Sequence, residues 1–335
     1  MNDSVIARVA LVGLGPIGIE VGRAVLGRSD FEVLGAADPA PDKTGRMLGE
    51  VLAGNCSFPI VASARDLYHQ TSARRGRRDV VLLCTGSRLE SVAPQIEEAV
   101  DAGFHVVSTC EELSLPALRH ADLARRIDAR AKEHGVAVLG TGVNPGLVMD
   151  RLALAAAGAC VTVEKLKVTR VVDAAKRRGP LRAKVGAGLS KEDFEAGVAA
   201  RKLGHVGLSE SAAMVAAGIG QPIEEITETI EPVLAAVETD GITPGRVLGL
   251  HQIARVRAAG AVKVELDLTM AVGERAFDRI EIQGDPPVSL TVEGGFHGDR
   301  ATVGCVVNAV PFVVQAPPGV QTVVTLPLFG LFPQR

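Results

Sequence analysis

The sequence feature that most constrains the fold is a glycine pattern near the N-terminus, within VALVGLGPIGIEVGRAVL. Gly13, Gly15 and Gly18 follow an apolar run that predicts a β-strand over 7–13, and they open a segment with helical periodicity over 17–26. In this setting the first glycine permits a tight turn, the second lets the backbone approach a pyrophosphate, and the third allows close helix–strand packing. The pattern therefore predicts a dinucleotide-binding βαβ unit, with a glycine-rich turn that binds nothing as the structural alternative.

An acidic residue after the second predicted strand supports this prediction. Asp38 ends the strand predicted over 31–38 and lies 20 residues beyond Gly18, where a carboxylate binds the ribose hydroxyls of NAD. Nearby cations could instead neutralise the 2′-phosphate of NADP: Lys43, Arg46 and Arg65. The predicted cofactor is therefore NAD or NADP. Its expected contacts in the glycine loop are Gly13, Gly15, Pro16, Ile17 and Gly18.

The first 145 residues alternate apolar strands with helical segments. Further strands are predicted over 79–86, 105–109 and 134–142, and a helix is predicted over 88–103. Strands that are apolar on both faces and joined by helices are typical of a parallel, doubly wound sheet. The fold class predicted for this part of the chain is a Rossmann α/β domain.

The pattern changes after Asp150 to period-two alternation, which predicts a mainly antiparallel sheet with one solvated face. The alternating segments are 161–172, 262–272, 279–284 and 288–295, and helical patches lie near 191–203 and 209–217. We therefore expect a dinucleotide-binding domain at 1–146 and an α+β domain at 147–300. The apolar C-terminal segment 301–335 is expected to begin as a helix and to pack back on the first domain.

Composition excludes several classes of partner. The formal net charge is −3, basic and acidic residues are mixed along the chain, and aromatic residues make up only 3% of it, so neither a nucleic-acid surface nor base stacking is expected. The five cysteines are scattered without a CxxC pair, which predicts no metal site, no disulfide framework and a reducing cytoplasm. The uncharged stretch 301–334 is interrupted by prolines, so no membrane-spanning helix is expected.

Small and polar residues follow two further predicted strands. Thr85, Gly86 and Ser87 end the first of these strands, at the carboxyl edge where the nicotinamide half of the cofactor would lie. A plain loop with Ser87 as a helix N-cap is the alternative. Asn144 and Pro145, in GTGVNPGLVMD, are expected to contact the carboxamide or the substrate. A purely structural hinge is the alternative for that segment.

Five segments, taken in order, resemble the 2,4-diaminopentanoate dehydrogenase group: the glycine loop, VVSTCEEL, GTGVNPGLVMD, KRRGPLRAKVGAGLS and GHVGLSESAAM. This group includes the native amine dehydrogenases and belongs to the dihydrodipicolinate reductase-like superfamily. The resemblance implies a Rossmann domain, an α+β substrate and dimerisation domain, and a homodimer. It also implies NAD(P)-dependent, reversible oxidative deamination of an amine. The reverse reaction is reductive amination of a ketone or aldehyde with ammonia and NADH or NADPH.

The resemblance to true dihydrodipicolinate reductases breaks in the second domain. Those enzymes carry a His-His pair and a nearby lysine, whereas the comparable stretch VTRVVDAAKRRGP contains no histidine. Lys176 is the residue that falls nearest in sequence to the family lysine. Reduction of the dihydrodipicolinate ring is therefore not the expected reaction.

Paired acids in HVVSTCEELSLP lie at the end of the strand predicted over 105–109. Reductive amination needs a group that takes a proton from ammonium, passes it to the departing oxygen and stabilises the cation. The resemblance matches the acidic position of TCEE to the residue that binds the amino group, so Glu111 is the predicted acid/base residue, next to Thr109 on the cofactor rim. Glu112 is the second candidate, although alternation of faces points it elsewhere, toward a helix cap or an arginine. The structural alternative for Glu111 is a capping box with Ser108.

Two residues of the second domain are candidate substrate ligands. Arg170 lies on an alternating strand and could bind a substrate carboxylate or form a surface ion pair. His205, in GHVGLSES, begins a predicted pocket loop, with a structural histidine as the alternative. Two other functions stay open: reduction of an imine or ketone without ammonia, and a dinucleotide-binding protein without activity.

Overall fold

The structure, a computed structural model, describes residues 5–71, 78–175 and 179–327 of the chain. The chain divides into two units. Unit 1 is Met1–Leu147 together with His297–Arg335, and unit 2 is Val148–Phe296.

The elements follow one another along the chain as two series. The strands are β1 (Ala7–Val12), β2 (Phe31–Ala37), β3 (Ile60–Val61), β4 (Asp79–Leu83), β5 (His105–Ser108), β6 (Ala137–Gly140), β7 (Thr162–Asp173), β8 (Glu225–Leu234), β9 (Val247–Ala258), β10 (Ala261–Ala271), β11 (Phe277–Asp285), β12 (Val288–Glu293) and β13 (Gly319–Gln321). The helices are α1 (Pro16–Leu26), α2 (Leu48–Leu52), α3 (Ala64–Thr71), α4 (Leu89–Asp101), α5 (Ala121–Glu133), α6 (Arg151–Ala157), α7 (Gly179–Lys184), α8 (Lys191–Ala199), α9 (Leu208–Gly218) and α10 (Gly298–Val313). Short 3₁₀ turns span Glu111–Ser114 and Pro116–Leu118.

Unit 1 is built on a parallel sheet with the strand order β13-β6-β5-β4-β1-β2-β3. Helix α1 packs against α10, and α4 packs against both α3 and α5. The predicted Rossmann α/β class is confirmed. The order in which successive strands are added to the sheet reverses between β1 and β4. Doubly wound sheets bind their ligands at the carboxyl edge beside such a reversal.

The core of unit 1 explains why its strands are short and mainly apolar. Val81 and Leu83 of β4 are buried in one cluster with Val92 and Ile96 of α4 and with Phe104 before β5. The strand predicted over 79–86 ends already at Leu83, because the chain turns there into the loop that precedes α4. Likewise the strand predicted over 134–142 is limited to Ala137–Gly140, since Gly135 adopts a positive φ of 67° after α5.

The C-terminal segment contributes two elements to unit 1. Helix α10 begins after His297, whose ring accepts a hydrogen bond from the backbone N–H of Arg300. Strand β13 pairs in parallel with β6 at the end of the sheet. The carboxylate of Asp128 on α5 accepts the backbone N–H of Val320 at 2.9 Å and so fixes β13.

Unit 2 is built on a sheet with the order β12-β11-β7-β10-β9-β8. Strands β7 and β10 pair in parallel, and the other described pairs are antiparallel, so the predicted mainly antiparallel sheet is confirmed. Along β7, buried Leu166, Val168, Arg170 and Val172 alternate with more exposed residues. Strands β8 and β9 were not among the segments predicted above. Their inward positions include the polar Gln252 and Glu228, which weaken the alternating apolar pattern.

None of the helices in the described ranges combines the length and the hydropathy that crossing a bilayer requires.

Candidate functional site

The glycine loop between β1 and α1 has the backbone geometry that a bound pyrophosphate needs. Gly13 has a φ of 85°, and a Cβ there would lie 2.7 Å from Cγ2 of Thr85. A Cβ on Gly18 would lie 1.9 Å from the carbonyl oxygen of Gly13, so only glycine lets α1 approach the loop. A Cβ on Gly15 would meet no described atom within 4 Å. The space beside Gly15, just before the N-terminus of α1, is therefore open for a ligand.

Asp38 lies directly after β2 and beside this loop. One of its carboxylate oxygens accepts the backbone N–H of Leu14 at 2.7 Å and lies 3.3 Å from Nζ of Lys43, and the other accepts the N–H of Ala40 at 2.9 Å. The side chain is largely buried, so its position is fixed before any ligand binds. Of the other cations considered for NADP, Arg46 pairs with Glu50 and Arg65 with Glu98.

These residues line one cavity of about 550 Å³ in unit 1. Its walls include Gly13, Gly15, Asp38, Lys43, Ser63 and Thr85. A concave site of this size, with glycines at one end and a fixed carboxylate at the other, fits a dinucleotide. The structure therefore brings the glycine loop, Asp38 and Thr85 together around one cavity.

The loop after β4 forms the next part of the rim. Oγ1 of Thr85 donates to Oε1 of Gln95 at 2.5 Å, which holds the loop against α4. Thr109, which follows β5, donates its backbone N–H to the carbonyl oxygen of Leu83 at 3.1 Å. Burial raises the pKa of the Cys84 thiol to about 12, against a hydrogen bond with Thr109 that lowers it. This thiol therefore stays protonated and is no nucleophile.

The alternative in which Ser87 caps a helix is wrong. Helix α4 begins at Leu89, and its first N–H is accepted by the carboxylate of Glu112 at 2.8 Å. Ser87 instead offers its carbonyl oxygen to the backbone N–H of Glu112 at 3.3 Å and to Sγ of Cys110 at 3.4 Å.

The capping-box alternative for Glu111 is also wrong. Oγ of Ser108 accepts the N–H of Cys110 at 3.1 Å and donates to the carbonyl oxygen of Leu83 at 3.0 Å, so it does not cap the turn through Glu111. Glu111 is the first residue of a 3₁₀ turn and is half-buried. Its carbonyl oxygen accepts Oγ of Ser114 at 2.7 Å, and the residue lies three positions after the end of β5, at the carboxyl edge of the sheet.

Glu112 has a different environment from its neighbour. It is buried, and its carboxylate accepts Nη1 of Arg88 at 2.8 Å, the N–H of Leu89, and lies 3.1 Å from Nε2 of His120. Burial raises the pKa of Glu112, but these hydrogen bonds outweigh it and hold the pKa below the usual range. The geometry argues against the acid/base role that the sequence left open for Glu112, because the carboxylate is enclosed and fully engaged.

The loop after β6 contains a residue that the sequence analysis missed. Thr141 follows Gly140 and is buried, and its Oγ1 has no hydrogen-bond partner among the described residues. A small polar residue directly after a parallel strand is the signal that could have identified it. Asn144 is buried in the same loop, and a Cβ on Gly146 would lie 2.3 Å from the carbonyl oxygen of Gly142. The loop of Asn144 and Pro145 is therefore closely packed.

Arg170 does not have the position expected of a substrate ligand. It is buried in unit 2, its Nη1 donates to Oδ1 of Asp278 at 2.7 Å, and its Nη2 donates to the carbonyl oxygen of Phe296 at 3.0 Å. Removing either partner of such a pair would leave a buried charge unpaired. The alternative of an ion pair is therefore the one observed, but its expected place on the surface was wrong, because both side chains are buried.

His205 lies in the loop before α9. Its backbone N–H donates to Oε1 of Gln252 at 2.8 Å, and its carbonyl oxygen accepts Nε2 of the same side chain at 2.8 Å. Burial, followed by the nearby charges of Lys184 and Arg170, lowers the pKa of His205 to about 3. The ring is therefore neutral at any working pH. Gln252, which holds the loop, was missed because a buried glutamine inside a strand has no sequence signature.

The predicted site residues thus divide between the two units. The cofactor candidates, Glu111 and Glu112 belong to unit 1, whereas Arg170 and His205 belong to unit 2. Lys176 lies outside the described residues. Within the described ranges, no group of three or more His, Cys, Asp or Glu residues is arranged to hold a metal ion.

Comparison with known proteins gives one consistent result. Residues 147–332 match the family model of the 2,4-diaminopentanoate dehydrogenase C-terminal domain. The chain is 32% identical to 2,4-diaminopentanoate dehydrogenase of Acetoanaerobium sticklandii, over 96% of this chain and 93% of that protein. It is 24% identical to an amine dehydrogenase of Streptomyces virginiae, over 94% of this chain and 95% of that protein. The solved structure of an amine dehydrogenase from Mycobacterium smegmatis shares the fold, with a TM-score of 0.85 and 23% identity over 98% of both chains.

Proposed function

The chain belongs to the 2,4-diaminopentanoate dehydrogenase family, and on this premise we propose that it is an NAD(P)-dependent amine dehydrogenase. The reaction is the reversible oxidative deamination of an amine, or, in reverse, the reductive amination of a ketone or aldehyde with ammonia. The observation that carries the proposal is the similarity over nearly the whole chain to a 2,4-diaminopentanoate dehydrogenase. The dinucleotide-sized cavity and the acid at the rim of β5 support it.

The residues that would hold the cofactor line the cavity of unit 1. Gly13 and Gly15 would leave room for the pyrophosphate at the N-terminus of α1, and Asp38 would bind the ribose hydroxyls. Thr85 and Thr109, at the ends of β4 and β5, would lie along the nicotinamide half. When bound, NAD(P) takes up or supplies the hydride.

Glu111 is the proposed acid/base residue. In the amination direction its carboxylate takes a proton from ammonium, which frees ammonia to attack the carbonyl carbon. The protonated carboxyl then gives the proton to the oxygen that leaves as water. The carboxylate that remains stabilises the positive charge on the iminium. A half-buried position supports this role, since the group can meet both substrate and protons from solvent.

The substrate contacts belong to the proposal as well. His205 is proposed to contact the substrate as a neutral imidazole, which accepts or donates a hydrogen bond without adding charge. Asn144 is proposed to offer its amide to the carboxamide or the substrate. The substrate is either 2,4-diaminopentanoate or a simple aliphatic amine, and a strict requirement for the α-amino acid end would exclude the second.

We further propose that the protein is a homodimer and that it works in the cytoplasm. The resemblance to the family supports the first point. The five cysteines, all free thiols, support the second. Light scattering after size-exclusion chromatography tests the homodimer, and a mass of one chain would contradict it.

The test of the function is a spectrophotometric screen at alkaline pH. The purified protein is mixed with NADH or NADPH, ammonium and a panel of carbonyl compounds that includes 2-amino-4-oxopentanoate. We expect loss of reduced cofactor that requires both the carbonyl compound and ammonium. Consumption that ignores ammonium would show a ketone or imine reductase instead. Cofactor binding without any turnover would show an inactive dinucleotide-binding protein.

A further inference from the structure

Glu112 is a buried charged side chain whose donors come from two separate parts of unit 1. Arg88 and Leu89 belong to the start of α4, and His120 directly precedes α5. Glu112 itself belongs to the 3₁₀ turn that Glu111 begins. One carboxylate therefore joins the turn after β5 to the helix that follows β4.

The backbone repeats this connection. The N–H of Glu112 donates to the carbonyl oxygen of Ser87 at 3.3 Å, and Sγ of Cys110 donates to the same oxygen at 3.4 Å. Ser87 follows Thr85, which lines the dinucleotide-sized cavity. The loop that borders the cavity and the turn that carries Glu111 are therefore held at a fixed separation.

The charge of Glu112 is suited to this task. The first N–H groups of α4 have no partner within the helix, and the positive end of the helix attracts an anion. Hydrogen bonds to an ionised carboxylate are about twice as strong as neutral ones. An enclosed carboxylate with three donors is thus a rigid connection, whereas a neutral amide would keep only part of it.

We propose that Glu112 is a positioning residue, whose carboxylate ties the turn bearing Glu111 to the start of α4 and so sets where the acid/base group stands relative to the cofactor cavity. This inference rests on the proposed function, because it requires that Glu111 transfers the proton. A displacement of a reacting group by about 1 Å can lower turnover by roughly 100-fold. Glu112 therefore acts through Glu111 and touches neither substrate nor cofactor.

The test is a double-mutant cycle on the full chain with E111Q, E112Q and the double variant. E90Q is the matched control, because it makes the same Glu-to-Gln change on α4 at a side chain that is 79% exposed. The Glu90 carboxylate lies 3.8 Å from Nδ1 of His120, which is too far for a hydrogen bond. For each variant we measure kcat in the amination direction, the Kd of NADH from fluorescence, and the melting temperature.

We expect E112Q to lower kcat by roughly tenfold or more while the Kd of NADH stays within about twofold. E111Q lowers kcat by roughly 100-fold or more, and adding E112Q to it causes less than about a twofold further loss, since the two residues act as a unit. E90Q leaves all three values near those of the parent protein. A melting temperature well above the assay temperature keeps a folding defect from entering kcat.

The possible failures are distinguishable. Normal turnover in E111Q would contradict the acid/base assignment within the proposed function. Loss in E111Q with normal turnover in E112Q, or an E112Q loss of the same size in both backgrounds, would overturn the positioning role alone. If E112Q does not fold, R88Q enters the same cycle, because Arg88 is half-exposed and its replacement leaves the bonds from Leu89 and His120 in place. We then expect a severalfold loss that again disappears in the E111Q background, and its persistence there would overturn the proposal.

Discussion

The carboxylate of Asp38 is fixed by hydrogen bonds within unit 1 and is the group proposed to bind the ribose of the cofactor. The N–H groups of Leu14 and Ala40 hold it at the end of β2, and Lys43 partly balances its charge. Its negative charge repels a 2′-phosphate, and its acceptor oxygens favour ribose hydroxyls. Because both effects favour a cofactor without a 2′-phosphate, we predict a preference for NAD over NADP.

We predict that D38N shifts the preference from NAD toward NADP. The variant loses the charge-assisted hydrogen bond to the ribose, which is worth about 1.4 kcal/mol, or roughly tenfold in kcat/KM with NAD. Lys43 is at the same time released to meet a 2′-phosphate. The measurement is kcat/KM with each cofactor, and D42N, which changes an exposed acid of the same loop, is the control. An unchanged ratio between the two cofactors would show that Asp38 does not read the ribose.

His205 makes the free energy of unfolding of the protein depend on pH in the acidic range. Burial and nearby cations lower its pKa from 6.5 to about 3 in the folded protein, whereas the unfolded chain binds the proton near the ordinary value. Between these two pH values the unfolded state holds more protons, so the free energy of unfolding falls as pH is lowered from about 6.5 toward 3.

We therefore predict that H205Q flattens the acid side of the stability profile. Urea unfolding of the parent and the variant at pH 7.5 and pH 4.5 measures the effect. H205Q is expected to lose less of its free energy of unfolding between these conditions than the parent does. H69Q, which replaces the exposed His69, is the control. If the two proteins lose the same amount, His205 is not the group that resists protonation.

At the scale of elements, the glycine loop leads directly into α1. Two glycines of this segment, Gly15 and Gly18, are needed for different reasons. Gly18 is required by the chain itself, because a Cβ there would overlap the carbonyl oxygen of Gly13. Gly15 is not required by the chain, because its Cβ would enter space in which no described atom lies within 4 Å, and we propose that it is required by the ligand. The packing role of Gly18 was predicted from its spacing after a strand, and the ligand role of Gly15 stays a prediction.

We predict that G15A and G18A fail in different ways. G15A is expected to keep the melting temperature of the parent, since its φ of −64° suits alanine, but to weaken the Kd of NADH by roughly tenfold or more. G18A is expected to lower the melting temperature markedly through the backbone overlap. Calorimetry and NADH titration measure both. Tight NADH binding by G15A would mean that the pyrophosphate does not approach this glycine.

The elements also show where sequence reasoning stops. The parallel sheet was predictable because its strands are apolar on both faces, and the helices between them have clear periodicity. The turn of Glu111–Ser114 was not, since SxxE fits a capping box equally well. The capping box is excluded by Ser108, whose hydroxyl donates to the carbonyl oxygen of Leu83 on the neighbouring strand and does not cap the turn.

At the scale of the whole molecule, an arginine or a helix start for Glu112 and an ion pair for Arg170 were anticipated, but not which distant residues would supply them. Glu112 meets Arg88 across 24 positions, and Arg170 meets Asp278 across 108. Local pattern assigns each charged residue to an element but says nothing about its partner. Unit 1 was better predicted than unit 2 because its site is built from consecutive βα units, whereas Gln252 holds His205 from a distant strand.

The division into units leads to a last prediction, that NADH slows hydrogen exchange most in the loops of unit 1. NADH at about 100 times its Kd stabilises the folded protein by about 2.7 kcal/mol, and the protection should be largest where the ligand contacts the backbone. We expect hydrogen exchange in the full chain to slow most over 13–18, 38–45 and 84–88, which follow β1, β2 and β4. Strand β8 of unit 2 is the internal reference, and the G15A chain with NADH should show little protection. Equal slowing in β8 and in these loops would place the binding energy elsewhere and contradict a cofactor site formed by the glycine loop and Asp38.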